Sequence, residues 1–351
     1  MIGQALDRLL EGQDLSRAEA REVMHRIMEG EATAGQIGGL LVALRMKGET
    51  AEEIAGSAEA MRAHAIPVRP ERSDVIDTAG TGGDGAGTLN ISTAAALVAA
   101  AAGVAVAKHG NRAISSASGS ADVLEALGFC IEIEPAAIAS SIDELGFGFL
   151  FAPAHHPAMR HAGPVRRELA VRTVFNVLGP LTNPGGAKRQ LVGVYGAHLV
   201  RRLADVLAML GAERALVVHG AGGIDELSPA GPNLVAEVTP HGEVRETQVD
   251  PTDFGVSRCA PADLAGGGPA ENARTIRAIF AGRPGPTRDA VLLNSAGALL
   301  VAGVVADLAE GLAAAAEVVD SGAAGERLEA LAAFSQATSA QVPLAENARA
   351  S

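Results

Sequence analysis

The periodicity of the apolar residues changes near residue 70, and this change restricts the fold more than any other feature of the sequence. Up to residue 66 the apolar residues follow a helical period, and three segments begin with Ser or Thr followed three positions later by Glu or Gln. This spacing is typical of a capping box, in which side chains satisfy free N–H groups of the first turn. The boxes are Ser16 with Glu19, Thr33 with Gln36, and Thr50 with Glu53. They predict four helices, over 2–11, 17–28, 34–47 and 51–65, and no strand.

From Asp74 onward, short β-branched or apolar runs alternate with Ala-rich segments, as expected for parallel strands joined by crossover helices. Strands are predicted over 75–78, 104–107, 129–133, 148–151, 191–195 and 215–219. The segment 155–189 has no strand signal and is rich in His, Arg and Pro, so it should leave the sheet and lie between two domains. The chain after residue 310 should be helical.

These patterns predict an α/β protein with a small all-helical domain and a larger α/β domain that has a mainly parallel central sheet. We expect the helical domain to span 1–66, joined by approximately 163–190. The α/β domain should comprise 67–162 and 191–345, and 346–351 should form a polar tail.

The composition argues against several classes of partner. The formal net charge is −13, whereas nucleic acids and anionic membranes are held by clustered Lys and Arg, so we expect neither as a partner. Cys130 and Cys259 lie far apart without a CxxC motif, which favours a reducing cytoplasm over a disulfide scaffold or a zinc site. The charged N-terminus is unlike a signal peptide.

Two uncharged runs, 85–107 and 290–306, raise the question of a membrane span. The first run contains Gly, Asn, Ser and Thr in its opening third and a further Gly at 103. It should therefore form a loop, a short helix and a strand rather than a continuous transmembrane helix.

A glycine-rich run, DTAGTGGDGAGT at 77–88, follows the first predicted strand. Its glycines allow backbone N–H groups to converge on an anion, which predicts a phosphate loop, although a tight turn without a ligand has the same composition. Gly80, Gly82 and Gly85 match GxGxxG, a weak sign of a dinucleotide site. Two features count against such a site: the helix begins only near Ser92, and the region after the second strand is basic where an acid is expected. A basic region could bind a 2′-phosphate, so NADP is not excluded outright. A Walker loop is excluded because no Lys-Ser or Lys-Thr follows the glycines.

A second polar loop, KHGNRAISSASGS at 108–120, follows the next predicted strand. It offers two cations, an imidazole, an amide and four hydroxyls, at the edge of a parallel sheet where ligands bind. A solvated surface turn is the alternative. Two anion-binding loops on adjacent strands imply a substrate with more than one phosphate group.

Several motifs together resemble the anthranilate phosphoribosyltransferase family. They are GTGGD at 80–84, NIST at 90–93, KHGNRAISS at 108–116, SGSADVLEALG at 118–128, APAHHPAMRH at 152–161 and PVRRELAVRTVFNVLGPLTNP at 164–184. The resemblance covers nearly the whole chain, including ENA at 271–273. It implies a nucleoside phosphorylase/phosphoribosyltransferase-like fold and a homodimer. It also implies Mg²⁺-dependent transfer of the phosphoribosyl group from 5-phospho-α-D-ribose 1-diphosphate (PRPP) to the amine of anthranilate, in tryptophan biosynthesis.

The resemblance also assigns site residues. The donor-binding positions are Gly80, Gly83, Asp84, Thr88, Asn90, Ile91, Ser92, Thr93, Lys108, His109, Gly110, Asn111, Arg112, Ala113, Ile114, Ser115, Ser116 and Ser120. The acceptor-binding positions are Gly80, His109, Asn111, Pro153, His156, Met159, Arg166 and Gly179. The magnesium ligands are Ser92, Asp225 and Glu226, although such an acidic pair is most often simply solvated.

Lys108, Asn111 and Arg166 are the implied catalytic residues. Lys108 would hold the leaving diphosphate, and the Arg166 fork suits a carboxylate. An aromatic amine is neutral at pH 7, so Arg166 and Asn111 would position the nucleophile and no strong base is needed. The chain departs from the family pattern at Ala117, where Lys is common, and at Gly222, where an acid is common.

Three other kinds of site or function share single features of this sequence. His155, His156 and His161 could suggest zinc, but they lack an acidic or Cys partner at ligand spacing. A pyrimidine-nucleoside phosphorylase also has a GTGG loop, but not KHGNR, PVRRE or LGPLTNP. A non-catalytic relative that binds nucleic acid disagrees with the charge of −13 and with the intact donor motifs.

Overall fold

The computed structural model describes residues 1–113 and 116–339. It begins with four helices, α1 (Ile2–Leu10), α2 (Arg17–Met28), α3 (Ala34–Lys47) and α4 (Ala51–Ala63), and no strand interrupts them. All three predicted capping boxes form, each with hydrogen bonds in both directions. The four predicted helices are confirmed, and only the ends of α1 and α4 come one and two residues earlier than expected.

A seven-stranded sheet follows, in the order β3-β2-β1-β4-β5-β6-β7. Its strands are β1 (Ile76–Asp77), β2 (Val106–Gly110), β3 (Phe147–Phe151), β4 (Arg189–Gly193), β5 (Arg214–His219), β6 (Asn233–Val238) and β7 (Val244–Val249). The pairings among β1 to β5 are parallel, and β6 and β7 are antiparallel. The prediction of a small helical domain plus an α/β domain with a mainly parallel sheet is confirmed.

The strand predictions were wrong at two places. Residues 129–133 form no strand, because the amide of Phe129 bonds to the end of a helix and that of Cys130 bonds to Ser335 Oγ. The apolar side chains of Phe129 and Ile131 are nevertheless buried, which explains the misleading pattern. The antiparallel strands β6 and β7 were not predicted.

Eleven further helices complete the described part of the chain. They are α5 (Ile91–Ala101), α6 (Ser120–Ala126), α7 (Pro135–Leu145), α8 (Ala152–His155), α9 (Gly163–Leu169), α10 (Phe175–Leu178), α11 (Val200–Met209), α12 (Pro269–Phe280), α13 (Pro286–Ala302), α14 (Leu308–Asp320) and α15 (Ala323–Ser339). The run 85–107 forms a loop, α5 and β2, as predicted. Among these residues, no helix is long and apolar enough to cross a membrane. The predicted tail, 346–351, lies outside the described residues.

Two large apolar cores lie on opposite faces of the sheet. On β5, Leu216 and Val218 belong to the core built on α5 and α13, whereas Ala215 and Val217 belong to the other core. That second core also contains the buried faces of α2, α3, α4, α9, α10 and α11. Within the segment 155–188, which contains no strand, α9 and α10 therefore share this core with the N-terminal helices, α11 and one face of the sheet.

Candidate active site

The carboxyl ends of β1, β2 and β5 meet at a polar cavity of about 320 Å³. Parallel strands bring their carboxyl ends to one edge, which is why residues far apart in sequence converge here. The cavity is lined by 79–84, 87–90, Ser92, Thr93, 108–113, Ser116, 118–120, Asn176, Asp225 and Glu226. The glycine-rich loop and the second polar loop thus form one site.

A second cavity of about 660 Å³ adjoins the first. It lies between α4, α8, α9 and α10, and it shares residues 79–81, 109–111 and Asn176 with the polar cavity. All eight predicted acceptor positions line it: Gly80, His109, Asn111, Pro153, His156, Met159, Arg166 and Gly179.

Three carboxylates converge on the floor of the polar cavity. The Oδ2 atom of Asp225 accepts a hydrogen bond from the amide of Gly82 at 2.7 Å, and Asp84 Oδ2 accepts one from the amide of Asp225 at 3.3 Å. Glu226 Oε1 accepts a hydrogen bond from the amide of Ser92 at 2.8 Å. Asp225 and Glu226 therefore anchor both the glycine-rich loop and the start of α5.

These three carboxylates carry more negative charge than the nearby Lys108 offsets. The Oε2 atom of Glu226 is buried and has no hydrogen-bond partner within the described residues. Burial and the charge of Asp84 raise the pKa of Asp225 to about 7, and burial together with Asp225 raises the pKa of Glu226 well above its usual value. A hard divalent cation prefers oxygen ligands and would relieve this repulsion, so the residues fit Mg²⁺.

Lys108 extends from β2 beneath the same cavity and is almost fully buried, with 1% of its surface exposed. Its Nζ donates hydrogen bonds to the carbonyl and hydroxyl oxygens of Thr78, both at 3.2 Å, and lies 3.5 Å from Ser92 Oγ. Burial lowers the pKa of Lys108, while the charges of Asp77, Glu226 and Asp225 oppose that shift. Its charge is thus held mainly by neutral oxygens and remains available to an anion.

Asp77, at the end of β1, was absent from the predicted site. It accepts hydrogen bonds from the amide of His109 and from Asn183 Nδ2, and Asn183 also binds the carbonyl of Ala107. Burial raises the pKa of Asp77 to about 6. Its position at the start of the glycine-rich run was a usable signal, since a charged residue there interrupts a buried strand. Asn183, from the distant LTNP motif, had no such signal.

Arg166 lies on α9 at the wall of the second cavity. Its guanidinium stacks over the Phe175 ring, with the Cζ atom 5.0 Å from the centroid, and no ion pair to it occurs among residues 1–113 and 116–339. Burial lowers the pKa of Arg166, and no carboxylate of the described residues offsets that shift. A half-buried arginine in this state suits an incoming carboxylate.

Two neutral histidines lie near the shared wall. The ring centroids of His109 and His156 are 5.1 Å apart, and the His109 Nδ1 atom lies 3.1 Å from the carbonyl oxygen of Gly179. Burial lowers the pKa of His109 to about 3 and that of His156 to about 4. Their Nε2 atoms are buried and have no hydrogen-bond partner among the described residues.

The glycine-rich loop needs its glycines for two different reasons. Gly82, Gly83, Gly85 and Gly87 have φ between 62° and 76°, which disfavours other residues. Gly80 is needed for close approach, because a Cβ atom there would lie 2.5 Å from Asp225 Oδ2.

Most of the predicted donor positions line the polar cavity, with three exceptions. Ile91 is fully buried in the apolar core, and Ile114 and Ser115 lie outside the described residues. Arg112 lines the cavity but forms ion pairs with Asp122 and Glu125.

The structure shows the surroundings of both positions, 117 and 222, at which the chain departs from the family pattern. Ala117 is exposed and lies between the cavity-lining residues Ser116 and Ser118. Gly222 has φ of 90°, so an acidic side chain would be strained in this backbone. Sequence reasoning also missed Asn272 of the ENA motif, whose Nδ2 donates to Asn90 Oδ1 at 2.9 Å.

Comparisons with known proteins agree with this arrangement. Residues 72–325 match the family profile described as "Glycosyl transferase family, a/b domain", and residues 3–65 match "Glycosyl transferase family, helical bundle domain". The fold and the paired cavities therefore define a glycosyl transferase of this two-domain class.

Comparison with individual relatives identifies the family within this class. The anthranilate phosphoribosyltransferase of Thermomicrobium roseum is 54% identical over 98% of this chain and 100% of its own length. The crystal structure of the Thermus thermophilus enzyme of that name is 50% identical, covers 95% of this chain and 99% of its own, and has a TM-score of 0.90. A Saccharomyces cerevisiae enzyme in complex with PRPP and Mg is 29% identical over 96% of this chain and 98% of its own, with a TM-score of 0.88. The chain belongs to the anthranilate phosphoribosyltransferase family, which confirms the resemblance of the motifs.

Proposed function

We propose that this protein transfers the 5-phosphoribosyl group of PRPP to the amine of anthranilate, giving N-(5-phosphoribosyl)anthranilate and diphosphate. The observation that carries the proposal is the pair of adjoining cavities. One has glycine-loop amides, carboxylates and Lys108, and the other has the unpaired Arg166. The amine and the ribose would meet at the wall that the cavities share, near Gly80 and Asn111.

We assign the polar cavity to PRPP and Mg²⁺. Ser92, Asp225 and Glu226 would hold the ion, which supplies positive charge against the diphosphate leaving group. The unpartnered Glu226 Oε2 atom supports this assignment. Lys108 adds a fixed positive charge beneath the diphosphate, and the glycine-loop amides add oriented dipoles. A related yeast enzyme is described in complex with PRPP and Mg.

We assign the second cavity to anthranilate. Arg166 would bind the carboxylate through paired hydrogen bonds while its other face stacks on Phe175. His109 and His156 stay neutral because they are buried, so the positive charge at this cavity comes from its arginines and not from its histidines. A yeast relative is described in complex with 4-fluoroanthranilate, a close analogue of this acceptor.

In the transfer, the bond from ribose C1 to the diphosphate oxygen breaks and a bond from C1 to the anthranilate nitrogen forms. The extra proton on that nitrogen then passes to water or to the released diphosphate. Negative charge grows on the diphosphate, where Lys108 is already fixed by Thr78 and needs no rearrangement. Arg166 and Asn111 hold the amine in line, which removes the entropic cost of orientation during the reaction.

The test is the loss of anthranilate fluorescence with PRPP and Mg²⁺ in wild type, Arg166→Ala and the control Arg283→Ala, an exposed arginine outside both cavities. A hydrogen bond to a charged group contributes about 1.5–3 kcal/mol, so Arg166→Ala should lower kcat/KM for anthranilate by about 10- to 150-fold per bond lost. The donor KM should change little. Phosphate-dependent release of thymine or uracil, with no consumption of anthranilate, would contradict the proposal.

We also propose that the enzyme is a cytoplasmic homodimer. Leu10, Val42 and Met46 are exposed on α1 and α3, with Met46 82% exposed, and a second copy of the chain would cover this apolar face. The free thiols of Cys130 and Cys259 suit a reducing compartment. Met46→Glu should shift the sedimentation coefficient to that of a monomer, whereas Val304→Glu, at an exposed apolar site elsewhere, should not.

We propose that the helical domain comprises 1–66 joined by about 163–190. The packing of α9 on α3 supports it, since Val165 Cγ1 would lie only 3.6 Å from a Cβ atom at Gly38. The hydrogen bond from Arg62 Nε to the carbonyl of Leu181, at 2.6 Å, ties the same two segments.

A further inference from the structure

Two histidines and a glutamate meet on the N-terminal helices, away from both cavities. His25 lies on α2, Glu29 caps the same helix one turn later, and His64 caps α4. His25 Nδ1 is 3.0 Å from His64 Nε2, and one ligand atom from each of the three residues lies within 4.8 Å of the others. His25 and Glu29 share a helix face because they are four residues apart.

The helices that carry these side chains are closely packed against each other. Helices α2 and α4 pack so closely that a Cβ atom at Gly56 would lie 2.2 Å from the carbonyl oxygen of Arg17. Both helices begin with a complete capping box. Ile27 of α2 and Ile54 of α4 are buried in the second core. The two imidazoles are therefore held together by the fold and not by a flexible loop.

We propose that His25, Glu29 and His64 form a binding site for Zn²⁺. Zinc takes imidazole nitrogen and carboxylate oxygen at about 2.0–2.2 Å, which places tetrahedral ligand atoms about 3.3 Å apart. The two imidazole nitrogens already lie at nearly this spacing, and the exposed Glu29 side chain is free to approach. Three protein ligands leave the fourth position to water. The nitrogen ligands distinguish this site from the all-oxygen set of Ser92, Asp225 and Glu226, which suits Mg²⁺.

The proposed zinc site lies close to two hydrogen bonds that link the end of α4 to the wall of the second cavity. Ile66, two residues after His64, donates its amide to the carbonyl of His155 at 2.8 Å, and His155 Nδ1 lies 2.9 Å from the carbonyl oxygen of Ile66. The next residue, His156, lines the cavity. Bound zinc would join the end of α4 to α2 and so stabilise this connection as well as the helices.

The test is a calorimetric titration of untagged, metal-free protein with Zn²⁺ in excess Mg²⁺. It is done in wild type and in an Asp225→Asn/Glu226→Gln background, which removes binding at the magnesium site. We expect one Zn²⁺ per chain in both. His25→Ala and His64→Ala should each weaken binding by at least about 10- to 100-fold, the cost known for even the outer partners of a metal ligand. His241→Ala, at an exposed histidine, is the matched control and should bind as wild type does.

If an alanine variant folds poorly, two further measurements test the zinc site: binding by conservative variants and the absorption spectrum of bound Co²⁺. His64→Gln and Glu29→Gln retain side-chain volume and should also weaken binding, with unchanged far-UV circular dichroism. Co²⁺ should give the visible absorption of a tetrahedral site in wild type and lose it in His64→Gln. Equal Zn²⁺ binding in wild type and the histidine variants would overturn the proposal. Half an equivalent per chain with new oligomers, or no binding, would do the same.

Discussion

At the residue scale, the buried charge of Lys108 serves ligand binding more than the stability of the fold. A buried ammonium normally has a carboxylate within ion-pair distance, but among residues 1–113 and 116–339 Lys108 forms no such pair. Its nearest partners are the neutral oxygens of Thr78 and Ser92, and Asp77 acts on it from farther away. Carboxylates therefore offset the charge of Lys108 only from beyond ion-pair distance, and the ammonium is available to an anion that enters the polar cavity.

Replacing Lys108 by Met tests this interpretation. The variant keeps the aliphatic stem but loses the charge, so kcat/KM for PRPP should fall by about 10²- to 10³-fold, the usual cost of one fixed electrostatic contact to the developing charge. Steady-state assays at saturating anthranilate measure the effect. Lys188→Met, at an exposed lysine distant from the polar cavity, is the control. A kcat/KM near the wild-type value would show that Lys108 does not act on the leaving group.

The buried histidines predict a loss of stability in acid. The pKa of His109 is lowered to about 3 and that of His156 to about 4, whereas an unfolded histidine titrates near 6.5. Between about pH 6.5 and 4 the unfolded chain therefore binds protons that the folded chain does not, and the free energy of unfolding falls as the pH falls. Each histidine contributes a slope of up to about 1.4 kcal/mol per pH unit.

Urea unfolding at a series of pH values checks this slope. His109→Asn and His156→Asn remove one titrating group each, so the decline between pH 6.5 and 4.5 should be shallower in both. His241→Asn serves as the control at an exposed position. Parallel curves for wild type and both buried-site variants would refute the assignment of these groups as neutral in the folded state.

At the scale of elements, the third capping box does more than begin a helix. Glu53 Oε2 accepts hydrogen bonds from the amide of Thr50 at 2.8 Å and from Lys47 Nζ at 3.0 Å, and Glu53 Oε1 accepts one from the amide of Leu15 at 2.9 Å. The Glu53 side chain is 1% exposed and that of Lys47 is 7% exposed. This carboxylate joins α3, α4 and the loop before α2.

Glu53→Ala should lower the free energy of unfolding by about 3 kcal/mol, since it removes one member of a buried ion pair. Thr33→Ala, at an exposed box without a charged pair, should cost only about 1 kcal/mol. Urea unfolding measures both values. A similar cost for the two variants would mean that Glu53 acts as an ordinary cap.

The sequence predicted the elements well where local chemistry determines them. The four N-terminal helices follow from capping boxes, which are local signals. By contrast, β7 is a sheet edge whose inner residues, from Arg245 to Gln248, are all exposed, so it lacks the apolar pattern of a buried strand. Its formation depends on pairing with β6, and a single segment of sequence does not reveal such pairing.

The difference between local sequence signals and long-range contacts also applies to the candidate active site. The glycine-rich loop and the KHGNR segment were recognisable because each is a contiguous motif. Asn272 and Asn183 reach the site from distant segments and act through Asn90 and Asp77, so only the fold brings them together. The roles of the lining residues remain proposals, while their placement around the two cavities agrees with the sequence-based assignment for most of them.

At the scale of the whole molecule, the sheet couples the two large cores. Along β5 the side chains alternate, with Leu216 and Val218 in one core and Ala215 and Val217 in the other. Helix α4 shares the second core with α11 and β4, so the N-terminal helices do not have a core of their own. Each residue of β5 from Ala215 to Val218 therefore packs in one of two cores that share the same backbone hydrogen bonds.

The protein should therefore unfold in one cooperative transition. Ile54→Ala on α4 and Leu97→Ala on α5 each remove a buried side chain from a different core, at a cost of about 2–5 kcal/mol. In calorimetry each variant should keep a single peak at a lower temperature. Native-state hydrogen exchange should show the amides of β5 losing protection equally in both, because that strand contributes to both cores. Two separate peaks, with Ile54→Ala moving only one of them, would show instead that the N-terminal helices unfold independently of the sheet.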